Sequence, residues 1–244
     1  MECVGEATIK DAIHKDTNEE GTNNTYRNEL INRRSEQFSY RFLKRFTDIC
    51  ISIVFLLLQA PIIALLAIVI KLDSPGPVLI RQQRIGKNRR RKYKKIEFYD
   101  RRASNLHGQP FVMYKFRSMH TTSNLYDVKP ASDSDARITR FGRFLRRSCL
   151  DEIPQLINVL KGEMSLVGPR PELEFIVRQY NDYQFQRLQV KPGITGLWQL
   201  KGSRKKHIHE EVHLDLEYIR KQSLRTDFYI LLRTLKFALF LRNF

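Results

Sequence analysis

Polar and apolar positions divide the chain into stretches of different character. Residues 1–38 show no sustained apolar period and read as a polar, disordered or loosely ordered extension. Residues 49–70 carry no charge and reach the ~20 residues a helix needs to cross a bilayer. A turn marked by Pro75, Gly76 and Pro77 leads into a short strand near 78–80, and 111–119 alternates partially, like a strand presenting Lys115 and Arg117 on one face. After a polar loop over 121–135, residues 138–145 take a helical pattern. Leu156, Ile157 and Leu160 then recur at helical spacing, with Asp151 placed to cap the start, Pro154 tolerated in the first turn and Gly162 as the stop. A helix is predicted from about 173 to 180 and onward towards 188, followed by a glycine-punctuated loop over 191–199 that holds the only tryptophan, Trp198. The apolar stretch 228–241, with Arg233 and Lys236 on one side, reads as an interfacial amphipathic helix, with core packing as the alternative.

Two readings of the long apolar run stay open on residue physics alone. A single crossing is the simpler one. Against it, Pro61 sits near the middle and removes a backbone hydrogen bond. Both flanks are also basic: Arg33, Arg34, Arg41, Lys44 and Arg45 before, Lys71, Arg81, Arg84 and Lys87 after. Positive residues favour the cytoplasmic side, so a crossing puts one flank on the wrong face. A helix that enters, breaks at Pro61 and returns satisfies both.

Charge narrows the partners. The 244-residue chain has a formal net charge of +17, although residues 1–38 hold 8 acids against 5 bases. The excess calls for a polyanion: nucleic acid, anionic headgroups or a phosphorylated substrate. Residues 81–102 hold eleven Lys or Arg against Glu97 and Asp100, either a solvated loop or a patch on headgroups. Cys3, Cys50 and Cys149 lack metal or CxxC spacing and read as reduced, structural thiols. His207, His209 and His213 cluster without acids or cysteines at zinc spacing, beside Lys205 and Lys206, which disfavours a metal.

The candidate chemistry lies in the pair Asp151 and Glu152. Acids at helix starts are most often caps. Here, however, Arg143, Arg146 and Arg147 precede the pair and Arg170 follows it, the setting an anionic phosphate substrate needs. Neighbouring helical residues point about 100° apart, so the two carboxylates cannot do the same job.

In order along the chain stand Lys44-Arg45 with Asp48, the Pro61-interrupted apolar segment, and Lys71-Leu72-Asp73-Ser74-Pro75-Gly76-Pro77. Arg84-Ile85-Gly86 and Met113-Tyr114-Lys115-Phe116-Arg117-Ser118-Met119 follow. Then come Leu150-Asp151-Glu152-Ile153-Pro154-Gln155-Leu156, Ser165-Leu166-Val167-Gly168-Pro169-Arg170-Pro171 and Pro192-Gly193-Ile194-Thr195-Gly196-Leu197-Trp198-Gln199. Taken together, these pieces resemble the bacterial sugar transferases, the monotopic phosphoglycosyl transferases that start glycan assembly on a polyprenyl phosphate.

The resemblance implies a magnesium-dependent enzyme that moves a sugar-1-phosphate from a UDP-sugar to polyprenyl (undecaprenyl) phosphate and releases UMP, the initiating step of exopolysaccharide or glycoconjugate assembly. It implies Asp151 as nucleophile and Mg2+ contact, Glu152 as the assisting acid, and Arg146 on the carrier phosphate. Lys115, Arg117 and the Pro169-Arg170-Pro171 turn are the further substrate-binding candidates. The fold implied is α+β: a mostly helical cytoplasmic domain with small β elements, over 73–244, anchored by a re-entrant helix-break-helix over 39–72 and interfacial amphipathic helices. The expected location is monotopic, at the cytoplasmic face of the bacterial inner membrane, with no nucleic acid partner; a homodimer is left open. Three features depart from the pattern: Ala60 stands where a serine commonly precedes the membrane proline, 88–108 is a basic insertion, and the extension 1–38 replaces the spanning helices of larger relatives, giving a small, catalytic-domain form.

Overall fold

The computed structural model describes the backbone of residues 5–88, 108–121, 135–202 and 210–239, and the side chains of these from Phe38 to Lys236. The basic insertion from 89 to 107, most of the expected 121–135 loop, His207, His209 and the side chains of residues 1–37 lie outside the described residues. Two units emerge, Met1–Arg45 and Phe46–Phe244. The strands and all helices after α1 lie in the second.

Helix α1, Gly5–Asp73, contains Pro61 and is not interrupted there. A proline removes a single backbone bond, so it can bend a helix without ending it. Over 38–73 this is the one described helix long and apolar enough to cross a membrane. Ile53, Leu57, Leu58, Leu65 and Ile68 are among its exposed side chains. Burial along the opposite stripe is complete at the ends, at Asp48, Ser52, Leu66 and Ile70, and only partial at Leu56 and Ile63, on either side of Pro61.

Two small sheets carry the remainder. Strands β1 (Leu79–Ile85) and β2 (Pro110–Phe116) pair antiparallel, Leu79 opposite Phe116 and Ile85 opposite Pro110. Strands β3 (Ser165–Val167) and β4 (Gly193–Thr195) pair in parallel. Backbones meet closely here: a Cβ on Gly193 would fall 2.1 Å from the Gly168 nitrogen, so both glycines are required by the approach.

Short helices pack around these sheets: α2 (Arg140–Arg147), α3 (Gln155–Lys161), α4 (Glu174–Val177), α5 (Asp182–Phe185), α6 (Leu197–Lys201), α7 (Val212–Arg220) and α8 (Leu224–Leu239). Thr139 caps α2 by accepting from the Gly142 N–H. The single helix expected over 173–188 is instead α4, α5 and a 3-10 turn, Gln186–Gln189. Asn181 and Gln184 form a capping box that starts α5 afresh, which is the local reason for the division. The apolar C-terminal stretch begins four residues earlier than expected, at Leu224. Its Ile230 is fully buried and Thr195 and Thr234 bond across to β4, while Phe228, Tyr229, Leu232 and Leu235 stay exposed. Both expected characters, core packing and an exposed apolar face, therefore coexist on α8. Leu145, Val159, Met164 and Ile230 share one core with Leu66 and Ile70 of α1. Cys50 and Cys149 are free and exposed, not buried as structural thiols.

Candidate active site

Asp151 is not the cap of α3. It lies in a separate 3-10 turn, Leu150–Glu152, whose closing bond runs from the Ile153 N–H to the Leu150 carbonyl (3.3 Å). Pro154 explains the turn. Its missing N–H denies the Leu150 carbonyl an α-helical partner, so the tighter bond from residue 153 takes its place. Helix α3 then starts at Gln155 and stops at Gly162, which takes φ 80°.

Successive residues of a 3-10 turn diverge by about 120°, and the two carboxylates end in different surroundings. Glu152 is fully engaged. Lys115 Nζ donates to its Oε1 at 2.8 Å, and Arg170 donates from Nη2 to Oε1 at 2.6 Å and from Nη1 to Oε2 at 3.4 Å. Burial alone pushes its carboxyl up, but Arg170 and Lys115 outweigh this and hold it well below the usual range. Asp151 is buried, and its carboxylate makes no hydrogen bond among the described residues. Lys115 Nζ stands 3.7 Å from its Oδ2. Burial raises its pKa, joined by the negative Glu152 and opposed by Lys115, Arg146 and Arg170. One acid is therefore a fixed counter-ion. The other meets Lys115 only at 3.7 Å.

Each cation reaches the pair from a different element. Lys115 comes from β2. That strand's free edge is closed by Asn158 of α3, which is fully buried: its Oδ1 accepts from the Tyr114 N–H (3.1 Å) and its Nδ2 donates to the Val112 carbonyl (2.6 Å) and to Glu163 (2.7 Å). The amide thus acts as a piece of strand and ties the helix following the acid pair to the strand that bears Lys115. Arg146 comes from the last turn of α2.

Arg170 comes from the Pro169-Arg170-Pro171 turn after β3, which is held from both sides. Arg84 donates to the Pro171 carbonyl (3.3 Å), and the Ile85 N–H bonds to the Glu172 carbonyl (2.9 Å). From beneath, Arg187 donates to the Arg170 carbonyl (2.8 Å) and the Tyr180 hydroxyl (2.6 Å), pairs with Asp215 at 2.7 Å and lies 3.8 Å from Glu172.

Arg117 does not join the cluster. It lies just past β2, is 1% exposed, and donates to the carbonyls of Ile70, Ser74 and Pro77. Alternation placed it beside Lys115, but the strand ends at Phe116 and the guanidinium turns to the end of α1. Asn158 and Arg187 were not singled out from sequence; a buried polar residue inside an otherwise apolar helix, as at Asn158, is the only signal that marks either.

Magnesium fits this donor set in a limited way. No group of three His, Cys, Asp or Glu side chains able to hold a metal occurs among the described residues. One carboxylate without a hydrogen bond, Asp151, is nevertheless what Mg2+ uses when substrate phosphates and water supply its other oxygens. His213 is exposed on α7 and has no part in the cluster.

Residues 39–241 match the family described as bacterial sugar transferase. The chain belongs to that family. It is 40% identical over 202 residues to the UDP-glucose:undecaprenyl-phosphate glucose-1-phosphate transferase of Escherichia coli (strain K12), covering 80% of this chain and 39% of that protein. It is 41% identical to the undecaprenyl-phosphate glucose phosphotransferase of Komagataeibacter xylinus, covering 82% of this chain and 36% of the relative. A third sugar transferase, the UDP-glucose:undecaprenyl-phosphate glucose-1-phosphate transferase of Caulobacter vibrioides, is 38% identical, covering 78% of this chain and 67% of its own length. The chain thus spans well under half of the first two relatives.

Proposed function

We propose that the protein is a phosphoglycosyl transferase that moves a sugar-1-phosphate from a UDP-sugar to undecaprenyl phosphate, releasing UMP and initiating a polysaccharide or glycoconjugate. The observation that carries the reading is the unequal pair: Glu152 neutralised by two cations and, beside it, Asp151 buried without a hydrogen bond. The names of the relatives supply the substrates.

The chemistry follows in two displacements. An Asp151 carboxylate oxygen attacks the phosphorus bonded to the sugar. The bond from that phosphorus to the bridging oxygen breaks, and its electron pair leaves on UMP. The sugar phosphate is then held as an acyl phosphate. A phosphate oxygen of the carrier attacks the same phosphorus, the acyl–phosphate bond breaks, and Asp151 recovers its carboxylate. Splitting the transfer suits substrates that arrive from different phases. Lys115 and Arg146 favour the ionised Asp151, and Arg170, fixed on Glu152, presents its remaining N–H groups to the diphosphate. Magnesium, held by Asp151 and the phosphate oxygens, would supply charge neutralisation on the diphosphate.

The setting in the membrane is part of the same proposal. Asp48, before the apolar run, accepts from the Leu166 N–H at 3.1 Å, and Asp73, after it, accepts from the Phe141 N–H at 3.2 Å. Both partners belong to one unit. A crossing helix would hold them about 37 Å apart on opposite sides of a ~30 Å hydrocarbon layer. Common attachment of both ends supports re-entry, bent at Pro61 into a single leaflet, with the site at the cytoplasmic surface. The test is UMP release from a panel of UDP-sugars by the full chain in lipid nanodiscs containing undecaprenyl phosphate. Release with at least one sugar, dependent on Mg2+, is expected; no release with any contradicts the reading.

A further inference from the structure

The end of α1 is held by two side chains, each leading to a different cation of the site. Arg117 gathers three carbonyls there: Nη2 donates to Ile70 (2.8 Å) and to Ser74, and Nη1 to Pro77 (2.7 Å). Among the described residues no carboxylate pairs with it. Its charge is met by the negative end of the α1 dipole. The turn is shaped around the guanidinium. Gly76 takes φ 124°, and a Cβ there would stand 2.7 Å from Arg117 Nη1. Two residues back along the chain is Lys115, on Glu152 and beside Asp151.

On its other side, the end of α1 reaches α2. The Asp73 carboxylate accepts from the Phe141 N–H at 3.2 and 3.3 Å, at the start of the helix whose last turn bears Arg146. The residues that follow Arg117 bind the same helix: the Thr139 N–H donates to the Ser118 carbonyl (3.2 Å), and the Met119–Ile138 bridge runs beside it.

We propose that Arg117 and Asp73 are positioning residues that register the end of the membrane helix against the site, so that the seating of α1 in lipid sets where Lys115 and Arg146 stand relative to the acid pair. The proposal rests on the phosphoglycosyl transfer reading above. It gives Arg117 a role other than substrate contact. A carrier phosphate delivered at the bilayer surface and a nucleotide delivered from water need one common reference, and this helix end is the part of the chain bonded to both cationic elements.

The test uses the full chain in nanodiscs, with UMP release followed against UDP-sugar concentration. Arg117→Met lowers kcat about a hundredfold, the scale of an ångström-sized misplacement, with KM for the UDP-sugar within about twofold. A loss in kcat at an unchanged KM is what displacing Lys115 from the acid pair produces, since the nucleotide contacts are kept. Arg117→Lys, which keeps the charge and several donors, recovers part of the rate, and Asp73→Asn gives a smaller loss of the same kind. A folded Arg117→Met variant with wild-type kcat overturns the proposal, as does a loss carried by KM for the UDP-sugar rather than by kcat. If Arg117→Met fails to fold, Gly76→Ala, which crowds Nη1 and keeps the guanidinium, is judged by the same two readouts. Wild-type protein that releases no UMP fails the underlying reading instead, so the two failures are distinguishable.

Discussion

Two buried charge clusters sit back to back around the Pro169-Arg170-Pro171 turn, and they are built to opposite ends. Around Arg187 the charges are paired within the protein: Asp215 lies at 2.7 Å, Tyr180 at 2.6 Å, the Arg170 carbonyl at 2.8 Å and Glu172 at 3.8 Å, while Arg187 Nε and Asp215 Oδ2 are buried without a hydrogen bond among the described residues. That cluster is closed, and it holds the turn in place. Around Lys115 the set is open. Glu152 binds both cations, and Asp151, adjacent in sequence, is left without a hydrogen bond. Burying a carboxylate without a hydrogen bond costs stability, which supports the reactive role proposed for Asp151.

Removing the open acid produces the largest effect on activity and a small, opposite one on stability. Asp151→Asn lowers UMP release by at least about a thousandfold, because an amide cannot take the phospho-sugar. A continuous assay of UMP formation checks it. Breaking the closed cluster reverses the pattern. Arg187→Met strands Asp215 and Glu172 and costs about 3–5 kcal/mol, read as a lowered denaturation midpoint. Asn158→Ala leaves the Tyr114 N–H and the Val112 carbonyl at the β2 edge unpaired, a loss of about 1–3 kcal/mol, with a fall in turnover as Lys115 loosens.

The smallest effects separate the two adjacent acids by sign. Glu152 has a depressed pKa, so its contribution is complete above the ordinary glutamate value of 4.5 and drains away as pH falls through the folded value. Asp151 has a raised pKa, so the fold favours its neutral form. Its cost is absent below the ordinary value of 3.8 and appears as pH rises through the folded value. At neutral pH Asp151→Asn therefore raises the thermal midpoint and Glu152→Gln lowers it. Each shift is about 2–4 °C for every kcal/mol involved, and both fade in strong acid. Thermal scans at pH 7 and pH 3 read the difference.

What the sequence made legible follows the range of the interactions. The stop at Gly162 is local and lies where the pattern placed it; the acid pair stands near Arg146 and Arg170 but in a turn of its own rather than as the cap of α3. The 3-10 turn was hidden because Pro154 reads equally well as the first residue of a helix or as the cap before one. Alternation puts Arg117 on one face with Lys115 because it counts faces and cannot report that the strand ends at Phe116. Asn158 and Arg187 act on residues 44 and 17 positions away, through bonds to backbone groups that no spacing encodes. The division of 173–188 was legible in principle, since Asn181 and Gln184 are a capping pair.

In the proposed reaction Asp151 carries the sugar phosphate between the two substrates. Intact-protein mass spectrometry of the full chain mixed with UDP-sugar and Mg2+, in the absence of undecaprenyl phosphate, tests this directly. The prediction is one phospho-sugar adduct per chain, mapped to Asp151, formed together with one UMP and discharged when undecaprenyl phosphate is added. UMP released only after the acceptor is present, with no adduct at any time, would contradict the covalent account and leave Asp151 an electrostatic role alone.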